Sequence, residues 1–510
     1  MGFRNRPPEL SIASERTIPG TGPHAQRMTQ TSCDSPAGGA TCYEPDEDGY
    51  DEALAGAGAP RPHYRELMAL LEELDLEDLS AGTIQEVDRR GVWFGPKTGG
   101  GPFVVDPVPR ILTAAEWVHL ESGLTQRVRA LNAFIADVYG SQAIIAAGVI
   151  PRPAIESADY YETAMAGVSV PAGVFAGVAG LDVVRDANGE FMVLEDNVRT
   201  PSGLAYACAA RSAMLGRFDS CARSGVLSLG AGFDLLGEAL RSAAPDGHGD
   251  PAIAVLTDGE RNIAWWEHQQ IAHRLDLPLV TVGDLEVNAG RLYRRDGGRR
   301  NQIDVLYRRC DEDRLVDAEG RMSGIGAAVL GPCRRGTLAC VNAFGTGVAD
   351  DKLMHSYVEA MIRFYLGEEP VVRSVPTYDL ARPDIRETAV ERIGELVIKP
   401  RTGHGGHGVF IGPHATSEDR VMMAAQIQSR PSAFVAQEMV NLSSHPTVIH
   451  GCLQPRHVDL RPFVFSAGDR ISVLPGGLTR VAIKAGDAIV NSSQHGGGKD
   501  TWVLAGGVGT

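Results

Sequence analysis

Two short segments, far apart in this chain of 510 residues, constrain its fold more than any other feature. The first spans residues 180–197, where two apolar runs flank the turn sequence Asp186–Gly189. This pattern predicts a β-hairpin. The hairpin would bring Asp182 beside Glu195, and Asn197 follows two residues later. Three side chains with oxygen atoms would then lie near one end of the hairpin.

The second segment begins at Leu396 as a short apolar strand that ends in Lys399 and continues into a glycine-rich loop. A lysine beside glycine N–H groups suits the phosphates of a nucleotide. Carboxylates and an Asn carboxamide are hard oxygen ligands, which Mg²⁺ prefers. Together the two segments predict a site for ATP and Mg²⁺. The predicted metal ligands are Asp182, Glu195 and Asn197, and the predicted phosphate-binding residues are Lys399, Gly403, Gly405, Gly406 and Gly408.

Each segment alone also has an ordinary structural explanation. A Glu-x-Asn sequence is often a strand that runs into a turn, and glycine-rich turns are common. The spacing of Asp182 and Glu195 nevertheless favours a metal site. His404 and His407 of the loop lack partners at metal-ligand spacing and are predicted to face solvent. Asp196 is predicted to point away from the metal, because side chains alternate along a strand.

These segments resemble the motifs of a known family. Asp-x12-Glu-x-Asn is similar to the metal motif of the ATP-grasp ligases, and Lys-Pro-x-x-Gly-x-Gly-Gly-x-Gly resembles their phosphate loop. Ordinary ATP-grasp enzymes have the loop first, whereas here the order is inverted. The same inversion occurs in the circularly permuted ATP-grasp proteins, which include eukaryotic-type glutathione synthetase and glutathionylspermidine synthetase-like proteins. The resemblance extends from Tyr50 to Leu504.

The resemblance implies an α/β protein with a circularly permuted ATP-grasp fold and a Rossmann-like pre-ATP-grasp domain. Four regions are predicted. Residues 1–48 form a disordered tail, and residues 49–242 combine a helical region with the permuted metal-binding part of the ATP-grasp domain. Residues 251–341 form the Rossmann-like domain. Residues 342–510 form the phosphate-loop and hinge part.

The pattern of residues independently predicts the Rossmann-like region. Residues 253–256, 264–275 and 279–282 are typical of a strand, a helix and a second strand, and residues 303–307 continue the sheet. A strand–helix–strand unit favours a parallel, doubly wound arrangement. No Gly-x-Gly-x-x-Gly sequence follows the first strand, so a dinucleotide site is not indicated. Residues 206–240 are predicted to be mainly helical.

The resemblance also implies a nucleotide-binding role for residues outside the two segments. Lys352 occupies the place of the first nucleotide lysine, although an exposed helix lysine is the alternative. Residues 435–440 are similar to the hinge strand under the adenine, where Gln437 and Glu438 would contact the base or ribose. The alternative for this stretch is an ordinary edge strand. Some permuted proteins carry an acidic metal ligand in the glycine loop, which Asp182 would replace here.

Several further residues near the motifs are predicted to contact the substrate or the transferred phosphoryl group. Arginine suits bidentate recognition of carboxylate or phosphate, although any of these arginines could form a structural ion pair. Lys499 follows three glycines and is predicted to be a phosphate or lid lysine, with a flexible loop as the alternative. The predicted catalytic residues are Arg461, Arg199 and Lys499, and the predicted substrate-binding residues are Ser202, Gly203 and Arg480.

The function implied is an ADP-forming carboxylate–amine ligase that makes an amide or peptide bond through an acyl phosphate. Its partners would be a small amino-acid or peptide carboxylate, with a γ-glutamyl donor among the candidates, and an amine. A non-ligating phosphotransferase and a catalytically silent nucleotide-binding regulator are the alternatives. The formal net charge of −16 argues against nucleic acid as a partner. Scattered cysteines and the absence of a long apolar run predict a cytoplasmic protein without membrane association, and a homo-oligomer is compatible with the sequence.

Overall fold

The fold is described from a computed structural model. Because the permuted halves must meet in space, the arrangement of strands around the two motifs is the feature that matters most. The structure describes residues 43–45, 49–218, 225–245, 249–310, 314–317, 319–403, 408–484, 490 and 496–506.

Helices occur throughout the described chain, and the longest is amphipathic and begins with a capping box at Thr113. In chain order the helices are α1 Arg65–Glu73, α2 Leu76–Arg89, α3 Ala114–Val138, α4 Ala143–Ala146, α5 Arg152–Glu156, α6 Leu204–Met214, α7 Gly232–Ser242, α8 Trp265–Leu275, α9 Gly324–Arg334, α10 Gly347–Asp350, α11 Lys352–His355, α12 Val358–Leu366, α13 Pro383–Glu391 and α14 Ser417–Ser429.

The strands are short and are distributed over several sheets. They are β1 Trp93–Phe94, β2 Gly101–Pro102, β3 Val105–Leu112, β4 Val178–Gly180, β5 Asp182–Arg185, β6 Phe191–Glu195, β7 Ile253–Leu256, β8 Leu279–Val280, β9 Leu285–Asn288, β10 Arg291–Asp296, β11 Arg299–Ile303, β12 Val305–Arg308, β13 Ala339–Val341, β14 Arg373–Ser374, β15 Thr377–Asp379, β16 Leu396–Pro400, β17 Phe410–Ile411, β18 Phe434–Glu438, β19 Ser444–Ile449, β20 Cys452–Arg461, β21 Phe463–Ala467, β22 Arg470–Val473, β23 Leu478–Val481 and β24 Gly497–Val503.

The largest sheet joins strands from both ends of the chain. Its order is β14-β6-β5-β20-β23-β24-β3, and β19 pairs with β20. The predicted hairpin is confirmed as β5 and β6, with Asp182 opposite Glu195. Val183 of β5 lies opposite Leu460 of β20. The metal-motif hairpin and the strand that ends at Arg461 therefore share one sheet.

The Rossmann-like region forms a parallel sheet of its own in the order β13-β12-β7-β8. Helix α8 connects β7 with β8, which confirms the predicted strand–helix–strand unit. Both faces of such a sheet are covered, so its strands are continuously apolar, as in Ile253–Leu256. All four strands fall within residues 251–341, although this position does not by itself establish a domain boundary.

A smaller antiparallel sheet, in the order β15-β18-β16-β17, carries the second motif. Leu380, Ile398 and Ile427 belong to a core cluster between this sheet and its helices. Strand β18 pairs on both sides, with β15 and with β16, so the edge-strand alternative for this stretch is wrong. Because β16 is held against β18, its last residues, including Lys399, have a defined position.

Two predictions, one about the N-terminal tail and one about a long helical stretch, need correction. The predicted tail ends at residue 48, yet Tyr43 is buried and its hydroxyl donates to the Asp51 carboxylate, so the packed body includes Tyr43. Residues 1–42 lie outside the described residues. The predicted helical stretch 206–240 is interrupted: α6 ends at Met214 and α7 begins at Gly232. The remaining predicted domain boundaries stay predictions, since the described residues from Tyr43 onward belong to one compact unit.

Candidate active site

A cavity with a volume of about 680 Å³ lies between the large sheet, the smaller antiparallel sheet and the Rossmann-like region. Both motif segments reach it, although they are far apart in the chain. Most of the residues predicted from sequence line its wall. Those residues are Asp182, Glu195, Asn197, Arg199, Ser202, Gly203, Lys352, Lys399, Gly403, Gln437, Glu438, Arg461 and Arg480.

Lys399 and Glu195 form the link between the two motifs. The Lys399 ammonium lies 3.5 Å from the Glu195 carboxylate. Burial lowers the pKa of Lys399, and the charge of Glu195 opposes that shift. Burial would raise the pKa of Glu195, but Lys399 and Lys352 outweigh it and the net shift is downward. Glu195 is therefore an anion near neutral pH.

Lys352 approaches the same place from the first residue of α11. Its ammonium donates to the Gly403 carbonyl at 2.7 Å. Directly before it, Asp351 caps the helix by accepting from the Leu353 N–H at 2.8 Å. Both oxygens of Asp351 also accept from Arg401, at 3.0 and 2.8 Å. This buried pair connects the start of α11 to the chain just after Lys399, and sequence reasoning missed both of its members.

Asp182, the first predicted metal ligand, is bound by two arginines. Arg461 donates to its two oxygens at 2.7 and 2.8 Å, and Arg480 lies 2.8 Å from one of them. Burial would raise the pKa of Asp182, but Arg461 and Arg480 lower it to about 2. Arg480 also pairs with Asp459. Because two guanidinium groups already bind Asp182, a cation would reach this carboxylate only if an arginine moved, and its assignment as a metal ligand stays a prediction.

Glu195 and Asn197 remain as a donor set that fits Mg²⁺. The side-chain nitrogen of Asn197 is buried and has no hydrogen-bond partner among the described residues, so no neighbour fixes the orientation of the carboxamide. No group of three His, Cys, Asp or Glu residues within the described parts of the chain could hold a metal ion. Mg²⁺ is commonly held by one or two protein side chains together with substrate phosphates and water, and Glu195 with Asn197 would supply two such side chains.

Asp196 points away from this donor set, as strand alternation predicted. Its carboxylate accepts from Arg127 at 2.5 and 2.8 Å and lies 2.7 Å from the His355 ring nitrogen. Burial would raise the pKa of Asp196, but Arg127 and His355 hold it well below its usual range. Because His355 is the last residue of α11, this buried network also anchors the helix that begins with Lys352.

The Ser202–Gly203 segment is held by the Rossmann-like region. Glu267 of α8 accepts from the N–H groups of Gly203 and Ala205, each at 2.9 Å. Arg309 donates to the other Glu267 oxygen at 3.2 Å and to the Pro201 carbonyl at 2.6 Å. Gly203 has φ 123°, a conformation that favours glycine. Glu267 therefore caps α6, and nothing in its local sequence predicted this contact.

The hinge residues contact the cavity differently from the prediction. The Glu438 carboxylate accepts from Arg392 twice, at 2.9 Å each, and from the Tyr378 hydroxyl at 2.5 Å. It is therefore committed to neighbouring side chains rather than to a ribose or an amino group. Gln437 donates to the Thr377 hydroxyl at 2.8 Å. Beyond β18 the cavity wall continues through residues 439–440.

Lys499 lies elsewhere. It is fully buried in β24, pairs with Asp106 and donates to the Pro446 carbonyl at 3.0 Å. Burial lowers its pKa, and Asp106 opposes that shift. It does not line the cavity, so its predicted phosphate or lid role is wrong. Its ammonium instead joins β24 to β3 and β19.

The last predicted site residues to place are Arg199 and the loop glycines. Arg199 does line the cavity, where its guanidinium lies 4.0 Å from the centre of the Tyr160 ring and 3.7 Å from Asp350. Gly408 is described, with φ 73°, whereas Gly405 and Gly406 lie outside the described residues.

Comparison with known proteins agrees with this fold. Residues 109–482 match the family described as circularly permuted ATP-grasp type 2, and the chain belongs to that family. An uncharacterized protein of Mycobacterium tuberculosis H37Rv is 40% identical over 463 residues, which cover 89% of this chain and 84% of that protein. An uncharacterized Synechocystis protein is 40% identical over 469 residues, or 90% of this chain and 97% of its own length.

Two other similarities carry more informative names. A Frankia casuarinae protein, provisionally named glutamate–cysteine ligase 2-2, is 43% identical over 472 residues. These cover 90% of this chain but 54% of that protein. A glutathione synthetase-like effector from Globodera pallida, solved in apo form, has a TM-score of 0.56 at 10% identity. The match covers 85% of this chain and 99% of the effector, and at this identity it shows the shared fold alone.

Proposed function

We propose that this protein is an ATP-dependent ligase that joins a carboxylate to an amine and releases ADP and phosphate. The observation that carries the proposal is the convergence of Lys399, Lys352 and Glu195 on one cavity, because three segments far apart in the chain supply them. Two ammonium groups beside a carboxylate suit a triphosphate with its metal ion. Membership of the permuted ATP-grasp family supports the same chemistry.

In the proposed reaction a substrate carboxylate oxygen forms a bond to the γ-phosphorus of ATP as the bond to ADP breaks. The amine nitrogen then bonds to the acyl carbon, phosphate leaves, and the amine gives up a proton. Lys352 and Lys399 hold the triphosphate in line with the carboxylate, so catalysis is positioning and electrostatic stabilisation. Mg²⁺, held by Glu195 and Asn197, would supply charge neutralisation on the phosphates.

The proposal also assigns roles to the other residues at the cavity. Gln437 and residues 439–440 contact the adenine. Arg461 and Arg199 steady the acyl phosphate, and the Ser202–Gly203 segment with Arg480 contacts the substrate carboxylate. Arg461 keeps one donor directed at the Ser202 carbonyl, at 3.3 Å, which supports its position beside that segment.

The substrate is proposed as an amino acid or short peptide, in a cytoplasmic setting. The name of the Frankia relative concerns glutamate and cysteine, but the match covers little more than half of that protein. The name describes the whole Frankia protein, of which 54% is matched, so a γ-glutamyl donor does not follow from the similarity. The residues that line the cavity are therefore the better guide to the substrate.

The test is nucleotide turnover with a panel of amino acids, short peptides and amines, followed by mass spectrometry of the products. We expect ADP, phosphate and an amide that depends on both the acid and the amine. Production of AMP and pyrophosphate would contradict the mechanism, because it indicates adenylation. ADP without any amide would support a phosphotransferase, and nucleotide binding without turnover would support a regulator.

No helix within the described part of the chain combines the length and apolar character needed to cross a membrane.

A further inference from the structure

The cavity continues beyond the Ser202–Gly203 segment, away from Lys399, into a second region with a different character. We call this region the apolar lobe. It lies between helix α6, the β1–β2 hairpin and the loop before α8. The apolar lobe is lined by Phe94, Phe103, Tyr206, Ile263, Ala264 and His268.

Aromatic rings form one wall of the apolar lobe. The Tyr206 ring centre lies 5.6 Å from that of Phe94 and 4.9 Å from that of Phe103. The Tyr206 hydroxyl donates to the Trp93 carbonyl at 2.9 Å, so its polar atom is already satisfied. Phe103 and Tyr206 are almost completely buried and Phe94 is half-buried, so the surface that this wall offers a ligand is mainly that of the Phe94 ring. Such surface is suited to apolar and aromatic groups.

The polar groups of the apolar lobe are committed to each other. His268 is buried and its ring nitrogen lies 2.8 Å from the Thr257 hydroxyl. Burial and then the nearby Arg309 charge hold the pKa of His268 well below its usual value. Arg309 is in turn paired with Glu267. The interior of the lobe thus has no uncompensated charge among its described residues, and an ionised ligand group there would lose hydration without gaining a partner.

Two backbone hydrogen bonds join the chain segments at the mouth of the apolar lobe. The Gly95 N–H donates to the Ile263 carbonyl at 3.0 Å, and the Lys97 N–H donates to the Glu260 carbonyl at 3.0 Å. Arg261 stands at this rim and is exposed to solvent, where a charge contributes little to binding. The Ile263 side chain is 44% exposed and also lines the cavity.

The charged and apolar ends of one cavity suggest how a single molecule would lie in it. Lys352, Lys399 and Arg461 suit phosphates and a carboxylate, whereas the lobe beyond Ser202 suits an uncharged body. We propose that the apolar lobe binds the body of the carboxylate substrate, which is therefore an acid with an aromatic or branched aliphatic group. This inference rests on the proposed ligase function and specifies its substrate class. It argues against an acid with a second charged group, such as a γ-glutamyl donor.

The test measures binding to the full-length protein by isothermal titration calorimetry, with MgCl₂ and a non-hydrolysable ATP analogue present. The probes are N-acetyl-phenylalanine, N-acetyl-leucine and N-acetyl-glutamate, which share the reacting carboxylate and differ in their bodies. We expect the first two to bind at least about tenfold more tightly than the third, since burial of one apolar side chain readily supplies that ratio. Equal or tighter binding of the glutamate derivative, or no binding of any probe, would overturn the inference.

A matched pair of variants locates the effect. Ile263→Asp adds a charge to the lobe and should weaken N-acetyl-phenylalanine binding at least about tenfold while leaving affinity for the ATP analogue unchanged. Ile84→Asp makes the same change on α2 at a side chain that is 55% exposed and outside the cavity, and should alter neither affinity. Unchanged N-acetyl-phenylalanine binding in Ile263→Asp would place the acid elsewhere.

ADP release separates this inference from the proposed function. If ADP and amide form best with acids that carry a second charge, the ligase function stands and the apolar lobe is not the substrate site. If aromatic acids bind as expected but no acid and amine together release ADP, the substrate-binding lobe stands and the ligase function fails.

Discussion

The charged side chains around the cavity differ most in whether they already form close ion pairs with other residues. The Glu195 side chain is 33% exposed and has one loosely spaced cationic neighbour, whereas Asp182 is bound by two guanidinium groups. Of these two carboxylates, Glu195 can therefore turn toward an added cation at little cost. Asp182 cannot do so without releasing Arg461 or Arg480.

The first prediction concerns Glu195. Glu195→Gln should lower ADP formation by about 100-fold or more, because the metal–phosphate site loses its anionic oxygen while the shape of the side chain is kept. The melting temperature should change little. Glu190→Gln, on the exposed turn of the same hairpin, is the control and should keep full activity. Normal magnesium-dependent turnover by Glu195→Gln would show that the metal lies elsewhere.

The second prediction follows from the burial of Lys499. Lys499→Met leaves Asp106 buried without its cationic partner, which should destabilise the protein by about 3–5 kcal/mol. The folded fraction should keep its turnover number, since Lys499 does not reach the cavity. Thermal unfolding and turnover per folded molecule measure the two effects. The double variant Lys499→Met with Asp106→Asn should recover part of the stability, and a specific loss of turnover at unchanged stability would restore a catalytic role.

At the scale of elements, the cavity is built by contacts between helix ends and strand ends. Helix α11 carries Lys352 at its first residue and His355 at its last, and buried pairs hold both ends. Helix α6 begins beside the predicted substrate segment and is capped from α8. The Rossmann-like region thus contacts the site through the Glu267 carboxylate and the Arg309 guanidinium.

The third prediction tests that cap. Glu267→Ala removes the acceptor for two N–H groups, so the Ser202–Gly203 segment should lose its position and the KM for the carboxylate should rise by about tenfold. The KM for ATP should stay unchanged, because the nucleotide lysines lie on other elements. Glu267→Gln retains an acceptor oxygen and should show a smaller rise. Glu286→Gln, which breaks an ion pair with Arg300 outside the cavity, is the control. A change in the KM for ATP instead would contradict a positioning role.

At the scale of the whole molecule, the first packed residues of the chain hold the large sheet together. Glu52 is completely buried, accepts from Arg110 at 2.6 Å and Arg185 at 2.9 Å, and also accepts from Ser443 at 2.7 Å. These partners come from opposite ends of the sequence. Burial would raise the pKa of Glu52, but Arg110 and Arg185 lower it to about 2.

The fourth prediction is that Glu52 makes the stability of the fold decrease as the pH falls. Because the pKa of Glu52 is lower in the folded state than the ordinary value of 4.5, its ionisation stabilises the fold above that pH and the contribution is lost toward pH 2. The full contribution is about 3 kcal/mol. Glu52→Gln should therefore be less stable than the wild type at pH 7, and the difference in melting temperature should narrow between pH 5 and pH 3. Glu72→Gln, exposed on α1, should follow the wild type throughout, and a constant difference for Glu52→Gln would exclude this linkage.

Local sequence determined the elements that carry the site. The turn residues between two apolar runs predicted the β5–β6 hairpin, and the alternation of strand and helix predicted the parallel sheet. Both follow from neighbouring residues, because turn chemistry and hydrophobic periodicity act over a few positions. Because one nucleotide must touch both motifs, the Asp182–Glu195 hairpin was expected to share a sheet with the strands around Arg456–Phe465, and Val183 does lie opposite Leu460. The interruption between α6 and α7 escaped prediction, although Gly216, Gly225 and Gly230 lie between the two helices and glycine disfavours a helix interior.

Only the tertiary structure decided which charged side chains are available. Asp182 and Lys399 both stand at strand ends in motif segments, yet packing gives Asp182 two arginine partners and leaves Lys399 facing the cavity. Lys499 follows a glycine run but is buried against Asp106. Glu267 caps helix α6, which is far from Glu267 in the sequence. Sequence spacing can indicate which chemical groups a site contains. It cannot indicate their partners, because an ion pair between distant residues depends on how whole sheets and helices pack.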